Sequence, residues 1–365
     1  MPRARVTTSD IARMAGVSRA TVSYVLNGQS KVPVAPSTRE RVLKAAYDLG
    51  YKPDPLARGL LGQQTFTLGH VVGSMDSNQV WVDIARSVQV AARSAGYDML
   101  LTNGAGDPEE ELRQVRLLLD RAVDGFFFNG PLSAESCSAA IAAGVPTVLL
   151  ERYPQVAETL RVRTDNYTAS WLATQHLLDL GHLRIAYIGL ADLEIIDRER
   201  FAGTADALRH AGTLLPDAWT LRVPNQDPAP VQEFVRRLVG SPHRPTAIYA
   251  GGNLFAIAVL QALAQSGLRV PKDISLVAYD EQFALYTEPP LTTISAPAEQ
   301  IGEVAVHALL EQMGNDGGGQ REGEVLLQPV LRVRGSTAPA PDRVAVSARK
   351  RVTGAPADKV GEANT

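Results

Sequence analysis

Residues 7–28, TTSDIARMAGVSRATVSYVLNG, decide how the rest of the chain is read. Cap-forming Thr and Ser precede Ile11 and Met14, which fall on one helical face, and a short link, Ala15-Gly16-Val17-Ser18, leads into a second segment. There Ser18 is placed as a cap, Val22, Val25 and Leu26 point inward, and Gly28 is a natural stop. A third helix is expected over STRERVLKAAYDLG, residues 37–50, with a Ser37-x-x-Glu40 capping box at its start and Gly50 at its close. This is helix-turn-helix spacing. If the second helix enters a major groove, Arg19, Ala20 and Tyr24 face base edges, while Thr21 and Ser23 suit phosphate oxygens. A plain three-helix bundle with a solvated arginine would leave the same local signals.

Charge separates these readings. Residues 1–64 hold ten Lys and Arg against four Asp and Glu, whereas the whole chain of 365 residues has 36 against 39. A basic end on an acidic body suits a module that meets a polyanion. The chain is long enough for two or three domains, and its 45% hydrophobic and 21% charged content is that of a globular protein. The amino-terminal MPRARVTTSD does not resemble a secretory signal, and no run approaches the roughly 18 apolar residues of a membrane helix. A cytoplasmic location without membrane contact is therefore expected. The single cysteine, Cys137, rules out an intramolecular disulfide or a thiolate metal cluster.

From about residue 66 to 297 strand and helix patterns alternate, as in parallel sheets with helical crossovers. The β-rich runs are TLGHVVG, YDMLLTN, GFFFNG and VPTVLLE, then RIAYIGL, WTLRVP, TAIYAGG and ISLVAYD, two sets of four. The expected class is α/β: a headpiece at 1–52, a hinge helix and linker at 53–65, and a two-lobed core at 66–335. Lobe 1 takes about 66–163 plus 293–324, and lobe 2 about 164–292 plus 325–335. Residues 336–365, rich in alanine, proline and charge, are expected to form a disordered tail.

The segment PDPLARGLLG at 53–62 fits a short helix with Asp54 as cap, Pro55 at the first position and Gly62 as stop. Helices below about 12 residues are marginal in water, and Gly59 weakens this one further. It needs a neighbouring domain or a partner. Here SDIARMAGVSRATVSYVLNG, TRERVLKAAYDLGYKPDPLARGL and the α/β body together resemble the bacterial lactose-repressor type (LacI/GalR) family of transcription regulators, over about Thr7 to Ser336. The resemblance implies homodimers, a DNA-binding headpiece and a core similar to periplasmic sugar-binding proteins. It also implies hinge helices that pack together only on operator DNA, with Leu60 wedged into a minor-groove step. The expected DNA-facing set is Thr7, Ser18, Arg19, Ala20, Thr21, Ser23, Tyr24, Asn27, Thr38, Ala57 and Leu60. The chain departs from the family pattern at Tyr24, Asp54 and Gly59, in two extra residues near Pro33 and Val34, and in Gly252-Asn253 where relatives commonly carry Asn-Asp.

Open parallel sheets bind ligands beyond the carboxyl ends of their strands. Those ends carry Asp76, Asn78, Asn103, Asn129 and Glu151, then Asn225, Asn253 and Asp280. By the resemblance, Arg200 in RERFAG grips the effector and Asp280 in AYDE is a cleft aspartate. Trp81 or Phe283 could stack on a sugar face. The expected effector set is Asn78, Trp81, Asn129, Glu151, Arg200, Asn253, Asp280 and Phe283, around a small polyhydroxylated molecule. Asp and Asn after strands also cap helices and shape turns, so the two roles stay open for each. Neither cofactor nor metal is expected. No P-loop, HExxH, G-x-S-x-G or dinucleotide fingerprint supports an enzyme; His176 and His182 are expected on a helix face and at a helix end. The expected function is a ligand-responsive repressor binding a pseudo-palindromic operator as a dimer, the alternative being a cytoplasmic sugar-binding protein or enzyme with an accessory helical domain.

Overall fold

The three amino-terminal helices bury Ile11, Ala12, Ala15, Val22, Val25, Val42, Ala45 and Ala46 in a small core of their own. The structure is a computed structural model and describes residues 6–27, 34–51, 64–75, 79–154, 156, 159–191, 194–314 and 322–341. The helices are α1 (Thr8–Ala15), α2 (Arg19–Asn27) and α3 (Pro36–Asp48). Two local expectations change. Met14 is 53% exposed, because Ala12 and Ala15 take the inward face of α1 beside Ile11. The Ser37–Glu40 box does not form, since the cap of α3 lies two residues earlier, at Ala35, with Pro36 opening the first turn. The box instead stands at α1, where the Asp10 carboxylate accepts from the Thr7 backbone N–H at 3.0 Å and the Thr7 hydroxyl at 2.7 Å. Those two bonds hold the Asp10 carboxyl below its ordinary pKa.

The body consists of two six-stranded sheets. In chain order the first half gives β1 (Thr67–Val72), α4 (Gln79–Ser94), β2 (Asp98–Asn103), α5 (Pro108–Asp120), β3 (Gly125–Asn129), α6 (Ala134–Ala142), β4 (Thr147–Leu150) and β5 (Leu160–Thr164). The second gives α7 (Asn166–Asp179), β6 (Ile185–Leu190), α8 (Glu194–His210), β7 (Thr220–Val223), α9 (Pro228–Val239), β8 (Ala247–Ala250), α10 (Asn253–Gln265), β9 (Ser275–Tyr279) and β10 (Thr292–Ser295). The chain closes with α11 (Ala298–Gly314), β11 (Gly323–Leu327) and β12 (Val330–Arg332). One sheet has the order β11-β5-β4-β3-β1-β2, the other β12-β10-β9-β8-β6-β7. All pairings are parallel except that of β12 with β10.

Strands covered on both faces need apolar side chains on both, hence runs without alternation. In GFFFN, Phe127 packs under α4 and α11 while Phe126 and Phe128 meet α5 and α6. The second sheet repeats the plan with α9 and α10 on one face and α7 and α8 on the other. To the two sets of four strands that the sequence predicts, the structure adds β5, β10, β11 and β12, which complete the sheets. LRVRT and TTIS are too polar to stand out as buried strands, and only their hydrogen-bonded neighbours fix them.

These strands also move the expected lobe divisions. Thr292–Ser295 pairs with β9, and Gly323–Leu327 pairs with β5. The chain therefore crosses between sheets after Thr164, after Ser295 and after Leu327, so breaks at 292/293 and 324/325 would cut β10 and β11. The expected tail also begins too early. Ser336 is buried, its carbonyl accepts the Leu276 N–H at 2.8 Å and its hydroxyl accepts the Thr292 N–H at 2.7 Å. His182 reaches the Ala338 carbonyl at 2.9 Å, and the Ala340 N–H donates to Leu180. Residues 336–340 thus strap the amino-terminal end of the second sheet. Residues 342–365 lie outside the described part.

Candidate nucleic-acid interface and ligand cleft

Helix α2 begins at a capped turn. Gly16 takes the left-handed conformation at φ 64°, and the Ser18 hydroxyl accepts the Thr21 N–H at 3.0 Å while sharing a hydrogen bond with the Thr21 hydroxyl at 2.9 Å. With Val22 and Val25 buried, helical geometry sends Arg19, Ala20 and Tyr24 outward, all exposed, with Thr21 and Ser23 half-buried beside them. Thr7 stands exposed at the α1 cap and Thr38 half-buried in the first turn of α3. Asn27 ends α2. Ala57 and Leu60, and with them the expected hinge helix, lie outside the described residues.

The cleft residues collect at the carboxyl ends of both sheets. On the first, Asn129 ends β3, is fully buried, and donates through Nδ2 to the Trp81 carbonyl at 2.9 Å. Its Oδ1 has no partner among the described residues. Gly130 must be glycine twice over: its φ is 61°, and a Cβ there would sit 2.6 Å from the Trp81 indole. The Arg152 guanidinium lies 5.6 Å from that indole. Glu151 follows β4 with φ 57°, and its Oε1 accepts the Thr164 N–H at 3.0 Å and hydroxyl at 2.6 Å. Burial raises its pKa, against the pull of Thr164, Arg200 and Arg163.

The second sheet supplies Arg200 and Asp280. Gly203 lets α8 approach α7 closely, since a Cβ would lie 2.2 Å from the Tyr167 carbonyl oxygen. That approach brings Arg200 to Asn166, the first residue of α7: Nε donates to Asn166 Oδ1 at 2.9 Å and Nη1 to the Gly251 carbonyl at 3.1 Å. The guanidinium stacks 3.4 Å from the Tyr279 ring centroid. Burial opposes its charge, yet Tyr279, Tyr249, Asp280 and Asp197 together raise its pKa. Asp280 follows β9 with φ 74° and carries a buried Oδ1 without a partner among the described residues. Burial raises its pKa to about 6; Arg200 lowers it, while Glu151, Glu281 and Asp83 add to the rise. Among the described residues five non-glycine positions have positive φ, and two are these carboxylates. Such backbone strain, of order 1–3 kcal/mol at each, is typical of sites held for binding.

Asn253 opens α10 and donates to Gln282 at 3.1 Å, with Phe283 half-buried in the same turn. For two other strand-end amides the turn-shaping role wins: Asn103 accepts the Met75 and Ala105 N–H groups, and the exposed Asn225 accepts that of Asp227. Asp76 and Asn78 lie outside the described residues. His176 bonds Thr337, so both named histidines anchor the strap and stand apart from the cleft.

Sequence reasoning missed the layer beneath Arg200. Tyr279 OH donates to Asn166 Oδ1 at 3.1 Å, Tyr249 OH pairs with Ser170 Oγ at 2.9 Å, and Tyr187 is register partner to Tyr249. The signal was one tyrosine in each of IAYIG, AIYAG and VAYD. Asn166 leaves no such signal, because the polar LRVRT run before it does not stand out as a strand.

Comparison with known proteins follows the same division. A family model described as bacterial regulatory proteins, lacI family, matches residues 7–54, and one described as a periplasmic binding protein-like domain matches 174–337. The ribose operon repressor of Escherichia coli (strain K12) is 32% identical over 333 residues, 90% of this chain and 99% of that protein. The HTH-type transcriptional repressor PurR of Photobacterium profundum is 30% identical over 89% of this chain and 97% of its own length. A lac repressor dimer bound to operator and the anti-inducer ONPF is 28% identical, with a TM-score of 0.76 over 92% of this chain and all of that one. A complex of the transcriptional regulator CelR with cellobiose is 30% identical, with a TM-score of 0.65 over 91% of this chain and all of that one. A helix-turn-helix ahead of a two-lobed periplasmic-binding-protein-like core defines a DNA-binding transcriptional regulator, not an enzyme. The chain belongs to the lacI family of bacterial regulatory proteins.

Proposed function

We propose that the protein is a cytoplasmic repressor that binds a pseudo-palindromic operator as a homodimer and senses a neutral polyhydroxylated molecule, a sugar or close relative, between its lobes. The observation that carries the ligand half is the pair of buried oxygens without partners among the described residues, Asp280 Oδ1 and Asn129 Oδ1, on facing sheets at strand ends. Buried polar groups are ordinarily satisfied, and hydroxyl groups would satisfy these. Arg200 is engaged by Asn166 and Gly251 through two of its five N–H groups, which leaves three to donate to ligand hydroxyls. Trp81 offers a flat face and Glu151 a second acceptor; Asn78, Asn253 and Phe283 complete the proposed lining. The ribose and cellobiose in the names of two relatives agree with this class.

Arg19 reads a guanine edge, Ala20 and Tyr24 flank it, and Thr7, Ser18, Thr21, Ser23, Asn27, Thr38 and Ala57 contact the backbone or support the fit, with Leu60 inserted at the centre. Leu285 and Tyr286, exposed by 67% and 87% beyond β9, favour association with a second copy. A ligand that prefers one closure angle of the lobes then shifts the dimer between forms whose headpieces can and cannot share one operator. Selection from random duplexes tests the DNA half: wild type should enrich a two-fold site, and Arg19→Ala should lose discrimination at one position per half-site, about 1–3 kcal/mol. Uniform loss at every site would reject the base contact. A thermal-shift screen of sugars and nucleosides tests the ligand half, a hit confined to charged metabolites counting against it.

A further inference from the structure

We infer that Arg163 is the positioning residue that sets the closure of the two lobes, by holding Glu199 of the second lobe and Glu324 of the first in one fork. This rests on reading the cleft as the ligand sensor. Arg163 is the last residue but one of β5, directly before the first crossing, and its side chain is only 4% exposed. Nη1 and Nη2 grip Glu199 Oε2 and Oε1 at 2.6 and 2.9 Å. Nε and Nη2 grip Glu324 Oε1 and Oε2 at 2.8 and 3.1 Å, and Nη1 also reaches the Thr164 carbonyl at 3.4 Å. All five guanidinium N–H groups are used, a planar fork that lysine cannot reproduce.

The two halves of the fork differ in what they join. Glu324 lies on β11, beside β5 in the same sheet, and is held again by the Tyr153 hydroxyl, itself stacked 4.9 Å under Arg161. That half moves with Arg163 whatever the lobes do. Glu199 lies on α8 of the other lobe, one residue before the ligand-facing Arg200. Any change of closure must carry this pair along or break it.

A second chain of bonds runs through the same crossing. Arg200 donates to Asn166, Asn166 Nδ2 donates to the Thr164 carbonyl at 3.0 Å, and Thr164 donates twice to Glu151. Residues 163–166 therefore tie both cleft walls to one short segment. A ligand that draws on Arg200 or Glu151 acts on the strand whose neighbouring side chain holds the lobes together.

The test compares Glu199→Gln with Glu324→Gln in the full chain by amide hydrogen exchange, without ligand or DNA. Glu199→Gln is expected to speed exchange at the other two crossings, 295–298 and 327–330, and in the first turns of α8 by about tenfold, equivalent to about 1.4 kcal/mol, with both sheet interiors and Tm little changed. Glu324→Gln is expected to affect β11 alone. Arg163→Lys, which keeps the charge but cannot fill both forks, should combine the Glu199→Gln and Glu324→Gln effects. Unchanged exchange at 295–298 and 327–330, or equal changes in the two glutamine variants, overturns the inference. Because neither measurement uses a ligand, a null result here leaves the screen for polyols to decide the sensor reading by itself.

Discussion

The two walls of the cleft are built on opposite principles. The second-lobe wall holds its charges by neighbours: Arg200 is pinned by Asn166, the Gly251 carbonyl and the Tyr279 ring, and the half-buried Asp280 keeps a buried Oδ1 beside it. The first-lobe wall is a half-buried indole fixed at its backbone by Asn129, with one carboxylate, Glu151, whose bonds go to the crossing segment. Under the proposed ligand reading, rigid charge would fix how a ligand is oriented, and a flat face with one open acceptor would close upon it afterwards. On that reading the difference suits the second lobe to orienting a ligand and the first to closing on it.

The hardest blow to this contrast should be Arg200→Ala. Removing it strips two charge-assisted hydrogen bonds, to Asn166 and the Gly251 carbonyl, and the stack on Tyr279, at a cost of about 3–5 kcal/mol, so calorimetry should show a large loss of stability together with the ligand response. A variant that melts like wild type would mean the second-lobe wall is not pre-organised by this residue.

Asp280→Asn comes next. Because its carboxyl titrates at about 6 instead of 3.8, the folded protein holds that proton more tightly than the unfolded chain. Stability from this group is therefore lost as pH rises from about 4 to about 6 and stays lost above, a cost of about 3 kcal/mol at neutral pH. The asparagine variant should be more stable than wild type at pH 7, should lack that part of the slope in denaturant titrations between pH 4 and 6, and should not answer ligand. An unaltered slope would move the burden to Glu151.

A third variant sharpens the contrast from the first lobe. His70 in β1 is fully buried, both ring nitrogens lack partners among the described residues, and burial lowers its pKa to about 3. His70→Leu should raise stability by about 1–3 kcal/mol, the desolvation cost of an unsatisfied polar group, with no effect on ligand response. Destabilisation instead would reveal a bond that the neutral imidazole makes. The smallest effect is expected of Tyr279→Phe, which keeps the stack on Arg200 and removes one hydrogen bond to Asn166: about 1 kcal/mol in ligand affinity, read by titration once a ligand is in hand.

How much of this was legible depends on how far apart the interacting residues lie. Caps and turns act over three or four residues, so Ser18, Gly16 and the inward Val22 and Val25 could be read directly, and the α/β rhythm declared the sheets. Even there Met14 and the Ser37–Glu40 box misled, because which face of a short helix turns inward is set by its neighbours, and a proline one residue earlier moved the start of α3. In the proposed cleft, residue type after a strand offered Asn129, Glu151 and Asp280 as candidates but could not distinguish them from Asn103 and Asn225, which bind their own loops. Asn166 and the tyrosine layer, which orient Arg200, left only a repeated tyrosine in three strands.

By itself the sequence determined the kinds of element, the basic headpiece, the double α/β body and most of the side chains proposed to meet a ligand, since these follow from local propensity, charge and strand ends. The tertiary structure alone decided that the lobes are joined by three crossings, that β10 and β11 belong to opposite sheets, that residues 336–340 strap the second sheet, and that Arg163 holds Glu199 and Glu324 at once. Each of these depends on hydrogen bonds between residues tens or hundreds of positions apart, whose geometry no local pattern contains.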